Sequence, residues 1–179
     1  LFSYKPQILS YLSDFLTNKK SEVSGEFLKD AFDKLLDFTS RGKMVRGGLI
    51  CFSSEMFGGV IDQNVITAAA AIELLESAFL IHDDIMDHDL RRRDISSMHV
   101  QYKYVAMEQN GKNPADFGIA EAMTIGDLAL FLSYTLLSGL RHKQSQAIIH
   151  AFSKESERTC LGQMEDVAFS QFLDEPTEQ

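Results

Sequence analysis

Residues 64–87 carry the longest uninterrupted helical pattern of this chain, with neither glycine nor proline inside it. The stretch is alanine-rich at first and then reads AIELLESAFLIHDDIMD. Alanine and leucine favour helix, and the apolar residues fall on more than one helical face, which predicts one long, mostly buried helix. A helix apolar all round has to be surrounded, and the rest of the chain supplies helices to surround it. Ile8, Leu9, Leu12, Phe15 and Leu16 recur at spacings of three and four after Pro6, a residue suited to a first helical turn. Phe27, Leu28, Ala31, Phe32, Leu35 and Leu36 repeat the pattern until Thr39-Ser40-Arg41-Gly42 breaks it. A third helix is predicted over 44–57, ending at Gly58-Gly59, and a short one from near His99. Asn110-Gly111-Lys112-Asn113-Pro114 reads as a loop, and 117–139 and 144–172 as two further long helices. No strand alternation and no repeat stands out. Three prolines and eleven glycines in 179 residues, 45% of them hydrophobic, agree with a single all-α bundle spanning 1–179.

Charge limits what such a bundle can bind. Lys+Arg 17 against Asp+Glu 26 gives a net charge of -9, so no whole-surface grip on nucleic acid or anionic membrane is expected, and any polyanion must be held locally. Apolar runs broken by charges predict no stable membrane insertion. The start LFSYKPQILS carries no targeting pattern, and the absence of an initial methionine is expected of a trimmed chain. Cys51 and Cys160 are too few and too far apart for a disulfide framework, and read as buried thiols in a reducing, cytoplasmic compartment.

The densest polar cluster, His82-Asp83-Asp84-Ile85-Met86-Asp87, stands at the C-terminal end of the long helix and continues through Asp89 to Arg91, Arg92 and Arg93. The helix dipole disfavours carboxylates there and three of them repel one another, so a cation should offset them. Asp83 and Asp87, four apart, share a face, which suits a hard divalent cation bridged to a phosphate ligand, Mg²⁺ above all. The alternative is a solvated surface patch neutralised by the arginines. An EF-hand is excluded, since its alternating oxygen ligands, central glycine and final glutamate are missing. Beside a metal-type cluster the arginine triplet reads as a phosphate clamp. In Gly42-Lys43-Met44-Val45-Arg46-Gly47, Lys43 and Arg46 share a face if the helix has already begun, and the glycines would let a ligand approach the backbone; no P-loop pattern is present. Gln163 and Asp166, in Gly162-Gln163-Met164-Glu165-Asp166, are spaced i,i+3, and Gly126 inside an apolar helix implies close helix packing.

Taken in order, GKMVRG, LLESAFLIHDDIMDHDLRRRDISSMH, GDLALFLSY and GQMEDVAF resemble the trans-isoprenyl diphosphate synthases of the polyprenyl synthetase family. The resemblance implies a helical bundle of the isoprenoid synthase type and a prenyltransferase that condenses an allylic prenyl diphosphate with isopentenyl diphosphate in an Mg²⁺-dependent reaction. It implies that Asp83 and Asp87 coordinate metal with Asp84 in support, and that Arg92 grips the allylic diphosphate. Lys43, Arg46 and Arg93 would hold isopentenyl diphosphate, and Gln163 and Asp166 would lie beside the metal and allylic site. It also implies a homodimer, with the helix over 117–139 as a contact. Phe79 lies one turn, about 5.4 Å, before Asp83 on the same face, where its ring would floor the product channel, while Ala78 is small. A product of roughly fifteen to twenty-five carbons, about twenty, is expected from that floor; the alternative is a core aromatic.

Several positions depart from the family pattern. Asp94, Ser96 and Ser97 stand where glycine and a Pro-Thr or Pro-Ser pair usually follow the arginines, and Glu76 replaces a histidine that contacts isopentenyl diphosphate. An ionised glutamate cannot donate and would repel the diphosphate. The chain stops at Gln179 without the family's downstream lysine and second aspartate-rich motif, so the bundle is expected to be the N-terminal part of a longer enzyme, incomplete at the C-terminus and inactive alone. A non-catalytic, half-length regulatory subunit and a terpene cyclase are the alternatives; Lys43 and Arg46 argue against the cyclase, and an intact DDIMD against the adaptor.

Overall fold

Pro6 sits in the first turn of α1 (Lys5–Ser21), and the apolar spacing that predicts this helix buries Ile8, Leu12 and Leu16 as one stripe. The computed structural model describes residues 1–172. Among them follow α2 (Glu26–Ser40), α3 (Val45–Met56), α4 (Gln63–Met86), a two-stranded hairpin of β1 (Arg91–Arg92) and β2 (Ile95–Ser96), α5 (Met98–Glu108), α6 (Pro114–Ser138) and α7 (Ser145–Phe172). The chain divides into two units, Leu1–Leu140 and a second beginning at Arg141 that holds α7.

In the first unit α4 is the central helix. Asp62 caps it by accepting the Val65 N–H at 2.9 Å, which satisfies one of the donors a helix start leaves open. Ala69, Ala70 and Ala71 are consecutive and all fully buried, so α4 has neighbours on every side. It packs chiefly against α6 and α3, and also meets α1, α2 and α5, while α5 lies along α6. Small residues set how near these helices come. A Cβ on Gly47 of α3 would lie 2.8 Å from the Ala69 carbonyl oxygen, and one on Gly118 of α6 would overlap the His99 carbonyl of α5. Gly126 of α6 leaves room for the His82 ring, whose Nε2 lies 3.1 Å from the Met123 carbonyl oxygen, so the close packing expected at this glycine is present.

Four expectations need correction. α3 begins at Val45, so Lys43 precedes the helix, and Met44 at the N-cap is left-handed (φ 54°) and buried. The glycines of that segment serve packing rather than ligand approach: Gly47 meets α4, and Gly42 lies against the Arg93 guanidinium. Cys51 is buried, whereas Cys160 is exposed on α7. α4 and α6 are each long and apolar enough to cross a membrane by length and composition, because Glu73 and Glu76 are the only charges in the apolar run of α4; 61% of that run and 39% of the one in α6 are buried. The hairpin was also invisible to periodicity, since two-residue strands are too short to alternate.

In the second unit, α7 buries Ser156, whose hydroxyl donates to the Phe152 carbonyl at 2.7 Å. Arg158 pairs with Glu155 on the exposed surface of the helix.

Candidate functional site

The acidic end of α4 is closed by backbone geometry. His88 is left-handed (φ 57°), its N–H donates to the Ile85 carbonyl at 3.4 Å, and the Asp89 N–H donates to the Asp84 carbonyl at 2.9 Å. This pair of bonds is the Schellman arrangement, which satisfies orphan carbonyls and turns the chain back over the helix. Asp89 therefore returns beside Asp84. Two residues later the chain enters the hairpin, where Arg92 pairs with Ile95 and Arg91 with Ser96. Its two-residue turn, Arg93-Asp94, has φ of 54° and 66°, the left-handed pair that fits the twist of a tight hairpin.

That turn separates two neighbouring arginines. Arg92 goes to the acidic cluster: its Nε donates to Asp84 Oδ1 at 2.6 Å, and its Nη2 to Asp89 Oδ2 at 2.9 Å and Asp83 Oδ2 at 3.2 Å. Arg93 turns toward the α2–α3 loop. Its Nη1 donates to the Phe38 carbonyl at 2.8 Å, its guanidinium lies 5.0 Å from the centre of the Phe38 ring, and its Nη2 stands 4.0 Å from Glu76. Arg91 remains exposed and donates to the Asp94 carbonyl at 3.0 Å.

Burial acts on both groups. The Asp84 side chain is fully buried, its Oδ2 has no hydrogen-bond partner, and desolvation pushes its pKa up to about 6 against the opposing pull of Arg92. Burial likewise pushes the Arg93 guanidinium down, with Glu76 and Glu73 pulling it back. The cation that the sequence requires beside the aspartates is thus provided by Arg92, which also draws on Asp89.

A second cluster lies on the other side of the hairpin. Lys43 is exposed on the loop before α3, and Lys5 holds that loop by donating to the Gly42 carbonyl at 2.8 Å. Arg46 Nη1 reaches Glu76 Oε1 at 2.5 Å. Glu73, one turn earlier on α4, is buried and accepts the Gly47 N–H at 2.7 Å, and desolvation raises its pKa. Sequence reasoning missed Glu73; a glutamate inside an apolar run was the available signal.

The remaining predicted residues fall as follows. Asp87 is exposed at the C-cap of α4, Ala78 is buried and Phe79 half-buried on the same helix. Gln163 is half-buried and Asp166 exposed on α7, in the second unit. Among the described residues no three His, Cys, Asp or Glu side chains gather closely enough to hold a metal by themselves. Hard carboxylate oxygens on Asp83 and Asp87, with the unpartnered Oδ2 of Asp84 between them in sequence, nevertheless fit Mg²⁺, which takes one or two carboxylates and completes its shell with phosphate and water.

Residues 26–179 match the polyprenyl synthetase family, and the chain belongs to it. It is 32% identical to the geranylgeranyl diphosphate synthase of Sulfolobus acidocaldarius over 96% of its own length and 48% of that relative. It is 26% identical to the geranylfarnesyl diphosphate synthase of Aeropyrum pernix over 92% of the chain and 46% of the relative. Among solved structures, the geranylgeranyl pyrophosphate synthase of Corynebacterium glutamicum superimposes with a TM-score of 0.72 at 24% identity, over 82% of this chain and 44% of that one. The fold is therefore the all-α isoprenoid synthase bundle, and the chain spans about half the length of the curated relatives it matches.

Proposed function

We propose that this chain carries the two diphosphate sites of a prenyltransferase that joins an allylic diphosphate to isopentenyl diphosphate, giving a short- to medium-chain all-trans product of about geranylgeranyl length. One observation carries the reading: the hairpin sends Arg92 to the acidic end of α4 and Arg93 to the Lys43–Arg46 side, so adjacent residues serve two separate anion sites. In this reading Asp83 and Asp87 hold Mg²⁺, which when bound neutralises the departing diphosphate. Arg92, already held by three carboxylates, offers its guanidinium to the allylic diphosphate. Asp84 orients Arg92 from beneath. Lys43, Arg46 and Arg93 hold the diphosphate of isopentenyl diphosphate. The apolar α4 keeps water from the carbocation, with Phe79 and Ala78 setting the space for the growing chain. α6 supplies the contact of a homodimer, an assignment supported by the exposed apolar side chains Met123 and Phe131.

Calorimetric titration of farnesyl diphosphate and of isopentenyl diphosphate, each with and without Mg²⁺, tests both sites. Farnesyl diphosphate should require Mg²⁺ and lose it as a cofactor in Asp83→Ala. Lys43→Ala combined with Arg46→Ala should weaken isopentenyl diphosphate about a hundredfold, as expected for two charge-assisted hydrogen bonds. Unchanged isopentenyl diphosphate binding in that double variant would sink the assignment.

A further inference from the structure

Glu76 is placed where a ligand anion would be. It projects from α4 with Oε1 2.5 Å from Arg46 Nη1 and 4.0 Å from Arg93 Nη2, so one carboxylate is shared by two of the three cations at this site. The two arginines are not equally free. Arg93 is only 13% exposed and is fixed by the Phe38 carbonyl, the Phe38 ring and the bare face of Gly42, which leaves its Nη2 directed at Glu76. Arg46 is 58% exposed and its guanidinium is paired with Glu76. Glu73 accepts the Gly47 N–H and acts on the two arginines only through its charge.

We propose that Glu76 is a built-in competitor for the Lys43–Arg46–Arg93 site: a tethered carboxylate that occupies Arg46 until an anion of higher charge displaces it. The proposal rests on reading that site as a diphosphate site. A tethered group acts at high effective concentration, so singly charged anions do not dislodge it. A diphosphate, with more charge and more acceptor oxygens, can span Lys43 and Arg46 together and draw Arg46 away. Glu76 therefore sets both the affinity of the site and its preference for diphosphate over weaker anions.

The test uses inorganic diphosphate as the probe, titrated calorimetrically into the 179-residue chain without metal. Glu76→Gln should bind it about tenfold more tightly than the unsubstituted chain. In an Arg46→Ala background the same change should gain less than about threefold, because Arg46 is what Glu76 releases. Glu76→Ala should show the same gain and takes the place of the amide variant if that one melts at lower temperature or fails to fold. Equal or weaker binding in both Glu76 variants overturns the proposal, as does an undiminished gain without Arg46, which would mark a diffuse charge effect. Lys43→Ala separates this failure from that of the site: if Lys43→Ala weakens diphosphate binding while Glu76 variants gain nothing, only the competitor is lost. If Lys43→Ala changes nothing, the anion binds elsewhere and both readings fall.

Discussion

Asp84 is the carboxylate furthest from its behaviour in water. Fully buried, with one oxygen on Arg92 and the other unpartnered, it has a pKa of about 6 against 3.8 when exposed. Between those values the folded chain binds more protons than the unfolded one, so stability falls as pH rises through that window. For this one group the loss reaches about 3 kcal/mol, at 1.36 kcal/mol per unit. Melting temperatures of the chain and of Asp84→Asn should therefore diverge between pH 4 and pH 7, the variant gaining as pH rises; parallel curves would contradict the assignment. At this scale the sequence was half legible. The spacing of Asp83, Asp84 and Asp87, the need for a cation beside them and the arginines as one source of it could be read, but not that Arg92 alone of the three would reach them, nor that Asp89 would join. That pairing depends on the left-handed His88, a conformation that a glycine would have advertised and a histidine does not.

The hairpin between α4 and α5 is built against the preferences of its turn residues. Arg93 and Asp94 both adopt positive φ, which costs about 1 kcal/mol or more for a residue with a Cβ. Asp94 is also where the family pattern has glycine, and the φ of 66° explains that choice. Asp94→Gly keeps the carbonyl that accepts from Arg91 and removes the strain, so the melting temperature should rise by about 2–4 °C per kcal/mol regained. A fall would mean that the aspartate side chain contributes more than its backbone costs. Most helix ends were legible to within a residue, as at the Gly58-Gly59 break after α3, but α6 begins at Pro114, three residues before the expected 117, because a proline read as loop is accepted in a first helical turn. What could not be read was the purpose of the glycines near Lys43. Gly47 is needed for the crossing of α3 on α4, and only the packed structure brings the Ala69 carbonyl opposite it.

In the whole molecule, a chain of the polyprenyl synthetase family, α4 runs from the acidic cluster at its C-terminal end into the apolar interior. Phe79 lies on that helix one turn from Asp83, half-buried where Ala78 is fully so. In a polypeptide that turns over, Phe79→Ala should lengthen the product by one or more five-carbon units, read by product chromatography. An unchanged product would make the ring an ordinary core aromatic.

The separation of Arg92 from Arg93 has a consequence for how the chain can vary. A single peptide bond lies between a residue committed to the aspartates and one committed to the Phe38 carbonyl. Inserting one residue between them would take Arg93 out of the turn position that aims it at the Phe38 carbonyl while Arg92 stays on the strand beside the aspartates. Were a displacement of Arg92 to move Arg93, two anions bound at the separate clusters would affect each other's affinity equally and reciprocally.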